Sequence, residues 1–149
     1  MSKTMQYIIE QFSEKHFDYL DSFFATLSNL TYAPKLTREI TEAMLCKIKQ
    51  QGSRIFIAIT PDNEIIGSLT LLVEQKLLRW WAKAGHIEDV VTREGFEGNG
   101  IASALMKTAI EEAINCGCYK IILDCEAKLT WYYERFWFKD DGAFMRKYL

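Results

Sequence analysis

Apolar positions along this chain fall into runs of two different periods, and the switches between them mark the elements. Tyr7-Ile8-Ile9-Glu10-Gln11-Phe12 reads as a short first strand. Ser13 stands where a helix cap is expected, ahead of Phe17, Leu20, Phe24 and Leu27 on one helical face. Tyr32-Ala33-Pro34 breaks that helix. Thr37 opens a second, with Ile40, Met44 and Ile48 at four-residue spacing, ended by Gly52. Arg54 to Thr60 is strand-like. Pro61-Asp62-Asn63-Glu64 is a turn, because proline presets φ and Asp and Asn bond back to the backbone. Ile65 to Gln75 returns as the second arm of a hairpin, and His86 to Thr92 reads as a third central strand. Glu97-Gly98-Asn99-Gly100-Ile101-Ala102 runs into a helix along which Ile101, Leu105, Ala109 and Ala113 stack. Tyr119 to Cys125 is a strand and Leu129 to Arg135 a short helix. Phe136 to Leu149 is expected to form one or two final strands around Asp140-Asp141-Gly142. The order β-α-α-β-β-β-α-β-α-β predicts an α/β (α+β) fold with a mixed sheet, not a sandwich or a bundle.

Composition narrows the class. A chain of 149 residues, 49% hydrophobic and 26% charged, is expected to form one domain over 1–149 with a true core. Pro34 and Pro61 are the only prolines, and no Gly/Ser linker or repeat divides the chain. A formal net charge of −2 gives no global field to attract nucleic acid or an anionic membrane. No apolar run approaches the ~20 residues of a membrane span. Met1 to Phe12 lacks a basic region followed by a continuous apolar stretch, so no leader peptide is expected and a cytoplasmic location is. Cys46, Cys116, Cys118 and Cys125 then read as reduced, buried thiols. Cys116-Gly-Cys118, with only His16 and His86 elsewhere, offers too few ligands for zinc, and no metal is expected.

The segment most informative about chemistry is strand, glycine loop, helix: Ile87-Glu88-Asp89-Val90-Val91-Thr92, then Glu97 to Ala102. Glycines at a helix start let the backbone approach a ligand closely, and free amides at the positive end of the helix dipole bind phosphate. The loop lacks the Gly-Lys-Ser/Thr of a Walker motif and the third glycine of a dinucleotide fingerprint. A plain strand-to-helix turn would need flexible residues too. Glu88 and Asp89 are adjacent on a strand, so they are expected on opposite faces unless a bulge intervenes. Two neighbouring acids in a buried central strand would be costly if unpaired. Asp124, at a strand end, is the third acid of interest. Any of Glu88, Asp89 or Asp124 is a candidate base, directly or through water.

Glu97-Gly98-Asn99-Gly100-Ile101-Ala102 resembles the Gln/Arg-x-x-Gly-x-Gly/Ala loop of the GNAT N-acetyltransferases. Gly85-His86-Ile87-Glu88-Asp89-Val90, Gly117 to Cys125, Val73 to Lys76 and Tyr132-Tyr133-Glu134-Arg135-Phe136 resemble the branch of that family that acetylates glucosamine 6-phosphate, with Leu27 to Thr31 a weaker match. The likeness covers most of the chain and is strongest from Glu74 to Phe138. It implies the GNAT fold, a central, mostly antiparallel sheet flanked by helices. It implies acetyl transfer from acetyl-CoA to the sugar amine, a step toward UDP-N-acetylglucosamine, by a homodimer.

Roles follow by position from the resemblance. Amides of Gly98, Asn99, Gly100, Ile101, Ala102 and Ser103 would hold the CoA pyrophosphate. Val90, Val91 and Thr92 would pair with the pantetheine arm and aim an N–H at the thioester oxygen, an oxyanion-type donor. Tyr133 would donate to the leaving sulfur, while Tyr132 beside it reads as core packing. Glu88, Asp89 and Asp124 would lie at the amine. The sugar phosphate would meet Lys76, Leu77, Leu78 and Arg79, then Tyr119 and Lys120, and either Arg146 or Lys147 from a partner's last strand. Ser28 falls near a hydroxyl position at the sugar phosphate.

Four departures from the family pattern stand out. Glu97 replaces the usual Gln/Arg and is expected to turn to solvent, away from the pyrophosphate. Leu129 replaces an Asn and removes a CoA contact. Trp137 replaces a glycine in Phe136-Trp137-Phe138. Arg79-Trp80-Trp81 replaces the family residues near the sugar. Two other readings stay open: an acetyltransferase of the same fold acting on a peptide or polyamine amine, and a CoA-binding module without catalysis.

Overall fold

The computed structural model describes residues 5–149. The leader-peptide expectation rests partly on residues 1–4, which lie outside the described residues. Five strands form one sheet in the order β1-β2-β3-β4-β5: β1 (Ile8–Gln11), β2 (Ser53–Ile59), β3 (Ile65–Gln75), β4 (Lys83–Thr92) and β5 (Cys118–Ile122). The first four pair antiparallel, and β5 runs parallel to β4. Of the helices, α1 (Leu20–Leu27) and α2 (Arg38–Gln50) lie between β1 and β2, and the single turn α3 (Leu78–Trp81) lies between β3 and β4. A parallel neighbour needs a crossover, which α4 (Ile101–Asn115) supplies. The short α5 (Thr130–Glu134) follows β5.

Alternation along β2 sorts the core into two layers. Phe56 and Ala58 point to the α4 side, with Leu69, Leu71, Ile87, Leu105, Met106 and Ala109. Ile57 and Ile59 point to the other, with Phe12, Phe17, Leu20, Phe23, Phe24 and Leu45. The stack Ile101, Leu105, Ala109, Ala113 is fully buried. Gly67 lets α4 sit close, since a Cβ there would lie 2.5 Å from Cγ2 of Ile101. The start of α4, and the loop before it, are thereby fixed against β3.

Several sequence expectations need correction. Thr37 does cap α2, its side chain accepting the Ile40 amide at 3.3 Å. Its buried face, however, is Thr41 and Leu45, with Ile48 half-buried, while Ile40 and Met44 are exposed. The apolar stripe is offset by one residue: Leu45, not Met44, joins the core layer with Ile57 and Ile59. The segment after Ser13 begins as a 3-10 turn (Glu14–Tyr19) before α1. Phe136–Leu149 forms no strand among the described residues, and residues 142–149 are exposed throughout. A strand needs a hydrogen-bonded neighbour, and the chain does not bring this tail alongside the free edge of β5. Strand β4 starts three residues earlier than expected, and β5 ends at Ile122, which leaves Asp124 and Cys125 in the turn beyond it.

Glu88 and Asp89 are both exposed, not buried. Thr70 pairs with Glu88 and Ser68 with Val91, so Leu69 alone faces both Asp89 and Val90. That extra residue is a β-bulge, and Asp89 takes φ +52° to make it. Pairing between β4 and β5 ends at His86 and Ile122. Ile122 is the last residue of β5, so β4 runs on to Thr92 with no strand beside it on that side among the described residues.

Candidate active site

The side of the candidate site at the glycine loop is built largely from backbone. Gly98 and Gly100 both have φ +77°, a left-handed conformation that a side chain would strain. Asn99 fastens the loop from within, its side-chain amide donating to the carbonyls of Phe96 at 3.0 Å and Glu97 at 3.2 Å. Tyr7 donates its hydroxyl to the Asn99 carbonyl at 3.2 Å. Arg93 anchors the approach to the loop through its amide to the Ile66 carbonyl at 2.9 Å and its guanidinium to Glu64 at 2.6 Å. A cleft of about 400 Å³ results, lined by Thr92, Phe96, Glu97, Gly98, Gly100, Ile101, Ala102, Ser103, Tyr132 and Arg135. The Ile101 side chain is buried in the core, so it offers the cleft only its backbone.

The Glu97 carboxylate is accounted for: it accepts the Gly95 amide at 2.8 Å, folding back along its own loop. Tyr132 departs from the core-packing expectation. It lines the cleft, half-buried, with its hydroxyl 3.2 Å from Oγ of Ser103. Arg135 lies 4.7 Å over the Tyr132 ring. Among the described residues it makes no salt bridge, so it brings an uncompensated cation to this cleft. Sequence reasoning missed Arg135; its one signal was the three-residue spacing from Tyr132 on a short helix.

The acids gather where β5 ends. Although the Glu88 side chain reaches solvent, partial loss of water around its carboxyl, then the Asp124 and Asp89 carboxylates, pushes it above its ordinary range, while His86 opposes this. Tyr133 is half-buried on α5, its ring 6.3 Å from that of Phe138. Burial, then Cys125, Tyr132 and Asp124, holds its hydroxyl above the usual phenol range, so it stays protonated and able to donate. Val90 is half-buried, Val91 buried and Thr92 half-buried at the cleft rim. Among the described residues no strand pairs with this stretch on the β5 side, which leaves that backbone edge free.

Cations lie toward the start of β4 and β5, where Lys120 stands opposite Ala84. The Arg79 guanidinium sits 5.0 Å over the Tyr119 ring, and Nζ of Lys120 lies 5.5 Å from the same centroid. Arg79 belongs to a left-handed turn in which Arg79, Trp80 and Trp81 have φ of +51°, +59° and +52°. Three such non-glycine residues in a row are costly by about 1–2 kcal/mol each. Leu77, Leu78, Trp80 and Trp81 project into solvent from this turn. Lys76 is tied to Glu74 at 2.6 Å. Arg146 comes from the tail to within 3.8 Å of Asp124, while Lys147 is exposed. Ser28 is not brought to this cluster by any bond: its hydroxyl lies 2.7 Å from the Phe24 carbonyl and 3.2 Å from that of Ala33.

A family model for the acetyltransferase (GNAT) family matches residues 10–136. A rice protein (Oryza sativa subsp. japonica) named probable glucosamine 6-phosphate N-acetyltransferase 2 is 34% identical over 136 residues, covering 88% of this chain and 82% of the relative. The solved structure of a Trypanosoma brucei acetyltransferase superposes with a TM-score of 0.90 at 30% identity, over 97% of this chain and 100% of that one. That of glucosamine-6-phosphate N-acetyltransferase from Arabidopsis thaliana gives 0.89 at 26%, over 96% and 98%. The glycine loop, the sheet order and these likenesses agree: the chain belongs to the acetyltransferase (GNAT) family.

Proposed function

We propose that this chain, working as one unit over 1–149, transfers the acetyl group of acetyl-CoA to the amine of glucosamine 6-phosphate, giving N-acetylglucosamine 6-phosphate and CoA. One observation carries the reading: a cleft floored by the glycine loop and the start of α4, and walled by Tyr132 and Arg135, adjoins Tyr133, which lies in the field of Asp124, the acid that also acts on Glu88. The relatives' names supply the sugar.

The loop amides of Gly98–Ser103 take the pyrophosphate oxygens, and Arg135 adds positive charge. The free edge of Val90–Thr92 holds the pantetheine arm and offers an N–H to the carbonyl oxygen as it gains charge. One of Glu88, Asp89 and Asp124 accepts the proton that the amine loses, and the Tyr133 hydroxyl donates a hydrogen bond to the departing thiolate. Transfer is direct. Cys125 adjoins the acids, and burial with Asp124 and Asp140 pushes its thiol up, the wrong direction for a nucleophile.

The working unit is a homodimer in the cytoplasm. A groove of about 280 Å³ beside β5, lined by Ile110, Ile114, Tyr119, Phe136, Trp137 and Phe138, and the exposed tail with Arg146 and Lys147 support an exchange of C-terminal segments. Light scattering reads the mass directly, and a monomer at micromolar concentration contradicts the dimer. The substrate is tested by thiol release with glucosamine 6-phosphate, glucosamine, and a panel of peptide and polyamine amines. Turnover on the phosphorylated sugar alone, lowered at least tenfold in sugar kcat/KM by joint Arg79→Ala and Lys120→Ala, is expected. Preference for a polyamine, or coenzyme binding without turnover, contradicts the reading.

A further inference from the structure

We propose that His86 is a positioning residue for Glu88: clamped by Glu74, its ring is held beside Glu88 on the same face of β4 and steadies the Glu88 carboxylate in its ionised form. The inference rests on the assignment of Glu88 to the amine site.

Side chains two apart on a strand share a face, so Ala84, His86 and Glu88 form one row on β4. Across the hairpin, Leu72 stands opposite His86, and Glu74 opposite Ala84. Glu74 therefore reaches His86 on the diagonal, and the small Ala84 leaves the room to do so. The clamp uses both carboxylate oxygens: Oε2 lies 2.7 Å from Nε2 of His86, and Oε1 lies 2.6 Å from Nζ of Lys76. Those two bonds, Lys76 first, hold the Glu74 carboxyl below its ordinary range, so it remains a fixed anion across the working pH. A ring bonded at Nε2 has lost its freedom to swing, and its plane is set beside the next residue in the row, Glu88.

Glu88 needs such a neighbour. The groups facing it are Asp89 in the bulge and Asp124 beyond β5, both acidic. Lys120 on β5 stands opposite Ala84, one step farther along the sheet, with Arg79 over the Tyr119 ring. Arg146 meets Asp124, not Glu88. On its own strand His86 is the only group that opposes the protonation of Glu88. A base that has to take a proton from an ammonium group is useless while it carries one already. The Lys76–Glu74–His86 chain is partly exposed, so its ion pairs add only modestly to stability.

The test is a carboxyl-carbon NMR titration of Glu88 in the substrate-free protein, together with the pH dependence of kcat/KM for glucosamine 6-phosphate. His86→Gln keeps a donor for Glu74 but never a charge. It is expected to raise the Glu88 midpoint, and the acid limb of kcat/KM with it, by about half to one pH unit, with a smaller rise for Glu74→Gln. His86→Arg, a permanent cation, restores both. A Glu88 midpoint unchanged in His86→Gln overturns the proposal, as does a midpoint that moves while the acid limb stays in place. Should the wild-type protein fail to acetylate glucosamine 6-phosphate at all, the substrate reading falls, and the NMR midpoint still decides whether His86 governs Glu88.

Discussion

The two sides of the cleft are held by different parts of the chain. On the side proposed for the coenzyme, the candidate ligand groups are backbone amides fixed by glycines of positive φ, by Asn99 and by the packing of α4 on Gly67. On the side proposed for the sugar they are side chains, set by a bulge at Asp89, a left-handed turn at Arg79–Trp81 and an exposed tail. A backbone site is insensitive to most side-chain changes around it, because amides come with every residue. A side-chain site can be retuned one residue at a time. The coenzyme loop accommodates Glu97 in place of the family's Gln/Arg, while the sugar side departs in three consecutive residues, Arg79-Trp80-Trp81.

The comparison can be broken at several points. Tyr133→Phe, at the junction of the two sides, is expected to cost about 100-fold in kcat with little change in either KM, as loss of a transition-state donor does. Steady-state kinetics checks it, and an unchanged kcat removes the leaving-group role. Gly100→Val forces a branched side chain to φ +77°. It is expected to raise KM for acetyl-CoA about tenfold and to cost about 1–2 kcal/mol of stability, leaving KM for the sugar alone. Equal rises in both KM values would show that the two sides are not separately built.

Glu88→Gln is expected to lower kcat and yet to stabilise the fold. Its carboxyl is held above the unfolded value, so the ionised form is disfavoured in the native state. That penalty is present at pH 7 and vanishes as pH falls below the ordinary carboxylate range, so the gain in Tm should be seen at pH 7 and fade near pH 4. Thermal unfolding at the two values reads it, and a lower Tm at pH 7 contradicts it. Glu97→Gln has the smallest expected effect, within about twofold in KM for acetyl-CoA, because the carboxylate is engaged by the Gly95 amide.

Legibility in the sequence divides along the same line. The strand, the glycine loop and the stacked Ile101, Leu105, Ala109 and Ala113 can be read because backbone conformation and helical packing leave a local residue pattern. The bulge cannot: Asp89 carries no glycine to announce its φ of +52°, and only pairing with Leu69 reveals the extra residue. The offset face of α2 depends on which strand it meets, a long-range fact. Local alternation predicts final strands in Phe136–Leu149, but a strand exists only with a neighbour, and the tail has none among the described residues. The pairing of His86 leaves no local mark either, because its partner Glu74 is twelve residues away and meets it only through the hairpin register.

The central claim is that loop amides grip the diphosphate while the β4 edge holds the arm that reaches the acids. Amide NMR spectra recorded with CoA and with pantetheine, which lacks the diphosphate, test it most directly. The account predicts that amides of Gly98–Ser103 shift with CoA and stay put with pantetheine, while those of Val90–Thr92 move with both. Loop amides that respond identically to the two ligands, or to neither, would contradict it.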